Sequence, residues 1–209
     1  MTSSMTPAPS PHCTRRRSLA RLARMAGMLA TLPVTLSPPM TALAQTTAPV
    51  GPTPPAELRP LLPTARLLGS GVLRFFGLRV YEARLWAAPG FQPERYAQQP
   101  FGLELAYDRK LEGEAIAERS IAEMRRVGPF SAAQADQWLA LMKQAFPDVA
   151  AQDRLLGLND GQGEVRFFHN GQPTAQTRDA EYARLFFGIW LAPQTSAPAL
   201  RDALLGLAR

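Results

Sequence analysis

The spacing of apolar residues along the chain predicts where its strands and helices lie. Between residues 65 and 88 the apolar residues form short runs typical of strands, and Gly69, Ser70 and Gly71 interrupt them where we predict a turn or bulge. Residues 101–109 alternate strictly, which predicts a further strand. Its apolar face carries Phe101, Leu103, Leu105, Tyr107 and Arg109.

Two helices are predicted after this strand. Residues 112–126 place apolar side chains three and four positions apart, and Gly128 with the following proline ends the pattern. Ser131 then has the position of an N-cap for a helix that runs to Phe146, and Gln134 completes a capping box.

The C-terminal third predicts a hairpin and two more helices. Residues 155–158 and 165–169 are strand-like and are joined by the turn sequence Asn-Asp-Gly-Gln-Gly, and Asn170-Gly171 marks a second tight turn. Asp179 can cap a buried helix over 180–191, which is apolar on nearly every side. A last helix is expected over residues 197–207. This order of elements predicts an α+β domain with the helices on one side of an antiparallel sheet.

The first 44 residues have the organisation of a secretory signal peptide. Arg15-Arg16-Arg17 precede an uncharged segment over 25–43, and the segment ends in Ala42-Leu43-Ala44. We expect cleavage after Ala44 and a periplasmic location; an uncleaved anchor is the alternative, although prolines make the segment a poor membrane span. The arginines partly match a twin-arginine signal, so both the Sec and the Tat route remain open.

Residues 45–63 are rich in Pro, Thr and Ala and predict an extended linker, so that residues 64–209 form one domain. The only cysteine, Cys13, lies in the leader, and no disulfide is therefore expected in the domain. Five of the 23 basic residues and none of the 17 acidic ones lie within residues 1–44, which leaves the rest at about +1. This nearly neutral balance argues against a nucleic-acid partner, and membrane contact is expected only during export.

Common catalytic motifs are absent from the sequence. His169 is the only histidine after the leader, so no His-rich metal site is expected, and we interpret it as a half-buried or turn-adjacent residue. There is no GxSxG, Walker or dinucleotide motif, and no cofactor is predicted.

Arginine and tyrosine side chains are the candidates for ligand binding. Arg109 and Arg119 can clamp a carboxylate, with the Tyr107 hydroxyl adding a hydrogen bond. The alternative is local pairing, of Arg119 with Glu123 and of Arg109 with Asp108 or Glu112. Weaker candidates lie in the second strand, namely Arg79, Tyr81 and Arg84.

Three segments of the chain resemble the chalcone isomerase fold, in particular the secreted bacterial chalcone isomerase-like group. They are Gly69 to Trp86 (GSGVLRFFGLRVYEARLW), Leu111 to Gly128 (LEGEAIAERSIAEMRRVG) and Leu185 to Pro198 (LFFGIWLAPQTSAP). The resemblance implies an open-faced β-sandwich, in which a large antiparallel sheet and a helical layer enclose an apolar cleft.

The resemblance also implies that the isomerase chemistry is missing. The hydroxyl positions of the plant enzymes fall on Phe76 and on Phe186 or Phe187, and a phenyl ring cannot donate a hydrogen bond to an enolate. The asparagine falls near Arg119, the tyrosine around Glu112 with Tyr107 close by, and the arginine near Thr64 with Arg66 as the nearest candidate.

The resemblance implies instead a ligand-binding role, because some members of the fold bind fatty acids through an arginine–tyrosine clamp. We therefore expect a small apolar or acidic ligand in a cleft that includes Phe76 and Phe187. Two alternatives stay open: an intramolecular lyase or isomerase with an unknown substrate, and an interaction module of the cell envelope.

Overall fold

The computed structural model describes residues 52–207, and the predicted signal peptide lies outside this part of the chain. Six strands form one antiparallel sheet in which each strand pairs with the next along the sequence. They are β1 (Arg66–Phe75), β2 (Leu78–Ala87), β3 (Phe101–Tyr107), β4 (Arg154–Asn159), β5 (Glu164–His169) and β6 (Gln172–Arg178).

Four α-helices pack on one face of this sheet, which we call the inner face. Two of them connect β3 to β4 and two follow β6. They are α1 (Gly113–Val127), α2 (Ala132–Ala145), α3 (Ala180–Leu191) and α4 (Pro198–Leu204), and short 3-10 helices span Ala56–Leu58 and Pro93–Gln98. The predicted α+β class, with an antiparallel sheet and a helical layer, is confirmed.

Local signals in the sequence explain where two of the helices begin. The Ser131 hydroxyl accepts a hydrogen bond from the Gln134 backbone N–H, and the Gln134 side chain accepts one from the Ser131 backbone N–H, which is the predicted capping box of α2. The Asp179 carboxylate accepts hydrogen bonds from the backbone N–H groups of Glu181 and Tyr182 at the start of α3. These bonds satisfy N–H groups that have no partner within the helix.

The alternation of β3 puts its large apolar side chains into the main core. Phe101, Leu103, Leu105 and Tyr107 all face the helical layer and are at most 8% exposed. The strand ends at Tyr107, so Arg109 lies just beyond it rather than within it. Alternation therefore predicted the buried face correctly and overextended the strand by two residues.

A second, smaller core lies on the outer face of the sheet and corrects the predicted linker. Leu58 and Leu62, which fall in the segment expected to be extended, are buried against Trp86, Leu156 and Leu158. The predicted domain boundary at residue 64 is therefore too late. The composition of residues 45–63 did not indicate that two of its leucines cover apolar side chains on the outer face of the sheet. Their burial stabilises the fold.

The Gly-Ser-Gly segment marks a bulge inside β1 rather than the end of a strand. The register with β2 shifts between Leu67 and Gly69, as the prediction of a turn or bulge allowed. A Cβ atom at Gly69 would lie 2.2 Å from the Ala203 carbonyl oxygen of α4. Glycine therefore lets the backbone of α4 approach β1 directly.

Candidate functional site

A cavity of about 750 Å³ opens between the inner face of the sheet and helices α1, α3 and α4. Most of its wall is apolar, because the strands alternate and present their hydrophobic faces to the helices. The apolar lining includes Val72, Leu73, Phe75, Val80, Leu103, Leu105, Ile116, Leu155, Phe167, Phe186, Phe187 and Leu200. The volume lies within the range of about 300–1,000 Å³ that small-molecule pockets have.

Aromatic rings close the inner end of the cavity. Phe187, a predicted site residue, is fully buried and meets the ring of Phe101 edge-on at 4.7 Å between centroids. Gly157 of β4 makes room for it, since a Cβ atom there would lie 3.1 Å from the Phe187 ring. Phe186 also lines the cavity and stacks on Tyr182 at 5.4 Å. Both late-helix phenylalanines therefore contribute rings to the wall.

Two tyrosines supply hydroxyl groups to the same cavity. Tyr107 and Tyr81 face each other across β3 and β2, with ring centroids 5.7 Å apart. The indole N–H of Trp190 donates a hydrogen bond to the Tyr81 hydroxyl at 2.9 Å. Burial raises the pKa of both tyrosines far above the usual range, and both hydroxyls therefore stay protonated. They can donate hydrogen bonds but cannot act as bases near neutral pH.

A buried carboxylate occupies the α1 side of the cavity. Glu123 is 6% exposed, and one of its oxygens lies 2.6 Å from an Arg119 nitrogen one helical turn away. The Arg126 side chain approaches the other oxygen at 3.5 Å. Arg119 does line the cavity as predicted, but it is held in an ion pair with Glu123. The alternative of a local i,i+4 pair is therefore confirmed for Arg119.

Arg109 is the predicted arginine with the better position for a ligand. Its side chain is exposed and lines the cavity, so it lies at the mouth. The predicted local partner Asp108 pairs instead with Arg79, at 3.1 Å. Within residues 52–207 Arg109 makes no ion pair, and its charge is available to an incoming anion.

Phe76 was expected in the cavity, and this prediction is wrong. β1 ends one residue earlier, and Phe76 with Gly77 forms the two-residue turn to β2. Both turn residues have positive φ angles, and the Phe76 ring is 90% exposed. Phe75 lines the cavity in its place. The sequence did not indicate this turn, because the flanking residues are typical of strands and Phe is rare at a turn position with positive φ.

The remaining candidates divide between the two faces of the sheet. Tyr81, a weaker candidate from the sequence, belongs to the cavity, whereas Arg84 lies on the outer face and pairs with Glu82. Arg66 stands exposed at the start of β1 and does not line the cavity. His169 is half-buried next to a turn, 3.6 Å from Asp153, as interpreted from the sequence.

Sequence reasoning missed Glu123, Trp190 and Ser120 as cavity residues. The sequence indicated Glu123 only as a local ion-pair partner of Arg119. Hydrophobic periodicity does not distinguish a polar residue that lines a cavity from one that is exposed to water. Within residues 52–207 there is no cluster of three or more His, Cys, Asp or Glu side chains that could hold a metal ion. No helix in that same range is long and apolar enough to span a bilayer.

The chain is similar to known proteins in both sequence and structure. The sequence model of the chalcone isomerase-like family matches residues 62–206. An uncharacterized protein of Haemophilus influenzae is 28% identical over 141 residues, which are 66% of this chain and 67% of that protein. The crystal structure of a fatty-acid binding protein of Arabidopsis thaliana superposes with a TM-score of 0.54 at 13% identity, covering 68% of this chain and 87% of that one. The fold expected from the resemblance is thereby confirmed.

Proposed function

This chain belongs to the chalcone isomerase-like family, and we propose that it binds a small ligand with an apolar body and an acidic head, such as a fatty acid. The apolar body would occupy the cavity between sheet and helices, and the head would lie at the mouth. The observation that carries the proposal is the cavity of about 750 Å³ with its largely apolar wall. Removing the apolar part of a ligand from water supplies most of the binding free energy in such a site.

The polar groups of the cavity fit an acidic head. Arg109 is exposed at the mouth and has no ion-pair partner within residues 52–207, so a ligand carboxylate can approach it. Tyr107 and Tyr81 keep their protons, because burial raises the pKa of each, and they offer neutral hydrogen-bond donors farther inside. A carboxylate accepts such bonds well.

The same residues support a role without catalysis. The only carboxylate that lines the cavity, Glu123, is paired with Arg119, and no histidine lines it among the described residues. The late-helix hydroxyl position that the resemblance implies falls on Phe186 or Phe187, and both phenylalanines line the cavity. The cavity therefore offers no free general base in the part of the chain that the structure describes.

Ligand binding can be tested by placing a bulky, uncharged side chain at the mouth of the cavity. Ala115 lines the mouth on α1 and is exposed, so Ala115→Trp should block entry of a fluorescent fatty acid and weaken its binding at least about tenfold. Ala122→Trp is the matched control, since Ala122 is exposed on the same helix and does not line the cavity. Lipid extraction of the purified protein followed by mass spectrometry would identify a natural ligand. Equal binding by wild type and Ala115→Trp would refute the assignment.

Arg109 tests the acidic head separately. We expect Arg109→Gln to weaken binding of a fatty acid by up to about fivefold, which is the strength of an exposed ion pair. Binding of the fatty alcohol with the same chain should not change. The exposed Arg95, which does not line the cavity, provides the control variant Arg95→Gln. An equal loss for acid and alcohol would show that Arg109 does not recognise the head.

The second candidate function is an intramolecular lyase or isomerase. It is favoured by the Tyr107 and Tyr81 hydroxyls in one cavity with the Trp190 indole, because neutral donors of this kind can stabilise an enolate. Turnover of a chalcone that is lost in both Tyr107→Phe and Tyr81→Phe, and kept in Tyr96→Phe, would establish this function. We expect no turnover by the wild type, since no free base lines the cavity in the described range.

We also propose that the protein is exported to the periplasm and that residues 1–44 are removed. The support is the sequence of the leader, with Arg15-Arg16-Arg17 before an uncharged segment and the Ala42-Leu43-Ala44 site. The intact mass of the protein from a periplasmic extract should correspond to a chain that begins at Gln45. Substitution of Arg15, Arg16 and Arg17 by lysine should abolish export only if the Tat route is used.

A further inference from the structure

We propose that the tip of the β1–β2 hairpin, residues 74–79, docks on the surface of an anionic lipid bilayer and brings the mouth of the cavity to the membrane. We call this segment the hairpin tip. Docking is independent of what the cavity holds, and it departs from the expectation that the protein meets a membrane only during export. Its use for transfer of a lipid-like ligand rests on the function proposed above.

The hairpin tip exposes three large apolar side chains next to one another. Phe76 is 90% exposed, and Phe75 and Leu78, which pair across the two strands, are 57% and 58% exposed. Within residues 52–207 the only other exposed large apolar residue is Leu207. Single exposed apolar residues are common on proteins, whereas a contiguous group at a protruding turn indicates a binding surface.

Phe76 is a poor choice for making this turn, which argues that its ring serves another purpose. Phe76 and Gly77 have φ angles of 48° and 79°, a conformation for which Asn-Gly is the preferred pair. The chain uses that preferred pair at the β5–β6 turn, where Asn170 and Gly171 have φ angles of 48° and 88°. The same backbone conformation is thus built once with the favourable sequence and once with an exposed phenylalanine at a conformational cost.

The charge around the hairpin tip is complementary to acidic lipid headgroups. Arg74 and Arg79 stand opposite each other in the strand register, an arrangement of like charges that does not stabilise a sheet. Arg109 and Lys110 follow β3 directly beside them, because the Asp108 backbone N–H donates to the Val80 carbonyl. Asp108, the single carboxylate within residues 74–79 and 108–110, pairs with Arg79 at 3.1 Å, and the charges of Arg74, Arg109 and Lys110 remain for the headgroups. Exposed arginines and lysines near an anionic bilayer each contribute to binding, and aromatic rings insert at the interface.

The hairpin tip also forms part of the rim of the cavity. Arg74 and Phe75 are exposed and line the cavity, and so does Arg109 on the neighbouring segment. A bilayer that meets these residues therefore lies at the opening. A ligand with a long apolar body could then pass between bilayer and cavity without exposing that body to water.

Phe76→Asn is the decisive variant because it separates folding from membrane contact. It replaces the exposed ring and creates the favourable Asn-Gly turn, so the free energy of unfolding should stay equal or rise. Binding of the processed chain, which begins at Gln45, to vesicles of phosphatidylcholine with 30% phosphatidylglycerol should weaken about tenfold, as expected from the lost burial of one phenyl side chain. Leu207→Asn is the matched control and should bind like the wild type. Leu207 lies near the other end of β1, since a Cβ atom built at its neighbour Gly206 would lie 3.5 Å from the Leu68 carbonyl oxygen. Residues 1–44 are left out because their arginines and apolar segment would bind anionic vesicles by themselves and mask the loss.

A charge variant tests the headgroup contact. Arg74→Gln should weaken binding to the anionic vesicles about fivefold at low salt and should leave the weaker binding to pure phosphatidylcholine unchanged. Equal binding of wild type, Phe76→Asn and Leu207→Asn to anionic vesicles would overturn the proposal. Loss of binding with Leu207→Asn but not with Phe76→Asn would also overturn it.

Ligand transfer distinguishes this proposal from the proposed function. If both hold, Phe76→Asn takes up a fluorescent fatty acid from solution with wild-type affinity but extracts it from vesicles more slowly. If no variant binds the fatty acid while vesicle binding still depends on Phe76, ligand binding fails and docking stands. If uptake depends on Ala115 while vesicle binding does not depend on Phe76, docking fails and ligand binding stands.

Discussion

At the scale of single residues, the pairing of each charged group decides what the cavity can bind. Arg119 and Arg109 both line it, but only Arg119 has a carboxylate partner within residues 52–207. The Glu123 carboxylate is nearly inaccessible to water, and a buried charge is tolerated only with compensating partners. Glu123 therefore determines that Arg119 serves the protein itself rather than a ligand.

Neutralising Glu123 should release Arg119 for a ligand carboxylate. We expect Glu123→Gln to tighten binding of a fatty acid by about fivefold, the strength of one exposed ion pair, and to leave binding of the corresponding alcohol unchanged. Titration calorimetry with both ligands measures the two effects. The double variant Glu123→Gln/Arg119→Gln should return to the wild-type affinity, and a gain that persists in the double variant would contradict this explanation.

At the scale of elements, α4 depends on a backbone contact with β1. Cβ atoms built at Gly69 and Gly71 would meet Ala203 or Leu200 of α4 at 3.0 Å or less. Glycine at these two positions lets the helix lie directly on the strand, and the bulge at Leu67/Gly69 accompanies this contact. The packing of α4 in turn holds Leu200, which lines the cavity.

Gly69→Ala should therefore destabilise the fold by more than an ordinary surface substitution. The added methyl group would meet the carbonyl oxygens of Ala203 and Leu204 at 2.2 and 2.5 Å, and backbone atoms cannot move aside as a flexible side chain would. We expect a loss of about 1–3 kcal/mol in the free energy of unfolding, measured by urea denaturation. The neighbouring Ser70 is exposed, and Ser70→Ala should change the stability by less than about 0.5 kcal/mol. Equal effects of the two substitutions would contradict the packing argument.

At the scale of the whole molecule, all four tyrosines are part of the fold. Tyr81, Tyr96, Tyr107 and Tyr182 are each at most 9% exposed. Burial raises the pKa of every one of them above the ordinary value near 10. The folded chain therefore holds four phenolic protons at a pH at which the unfolded chain releases them.

This difference predicts alkaline unfolding in one step. Because the folded pKa values are raised, the contribution of these groups is fully present below about pH 10 and is lost as the pH rises further, by up to about 1.4 kcal/mol per pH unit for each tyrosine. Absorbance at 295 nm should show little phenolate until the circular dichroism signal is lost, and then all four tyrosines together. Gradual ionisation near pH 10 in a folded chain would show that the tyrosines are accessible.

Much of this organisation follows from the sequence by itself. The α+β class, the alternating face of β3, the capping box of α2 and the Asp179 cap of α3 depend on neighbours within a few positions, and local patterns record such neighbours directly. Tyr107 and Arg119 were also predicted as cavity residues from the periodicity of β3 and α1, and Arg109 follows from extending the β3 pattern by two residues. Phe187 was implied by the family resemblance.

Only the tertiary structure decided the rest. It placed Phe76 in a turn, brought Leu58 and Leu62 onto the outer face of the sheet, and buried Glu123 in the cavity wall near Tyr81. These facts depend on contacts between distant segments and on one turn, Phe76-Gly77, whose sequence is not the one that its backbone conformation prefers. Hydrophobic spacing carries neither kind of information, because it records which face a residue takes and not which partner it meets there.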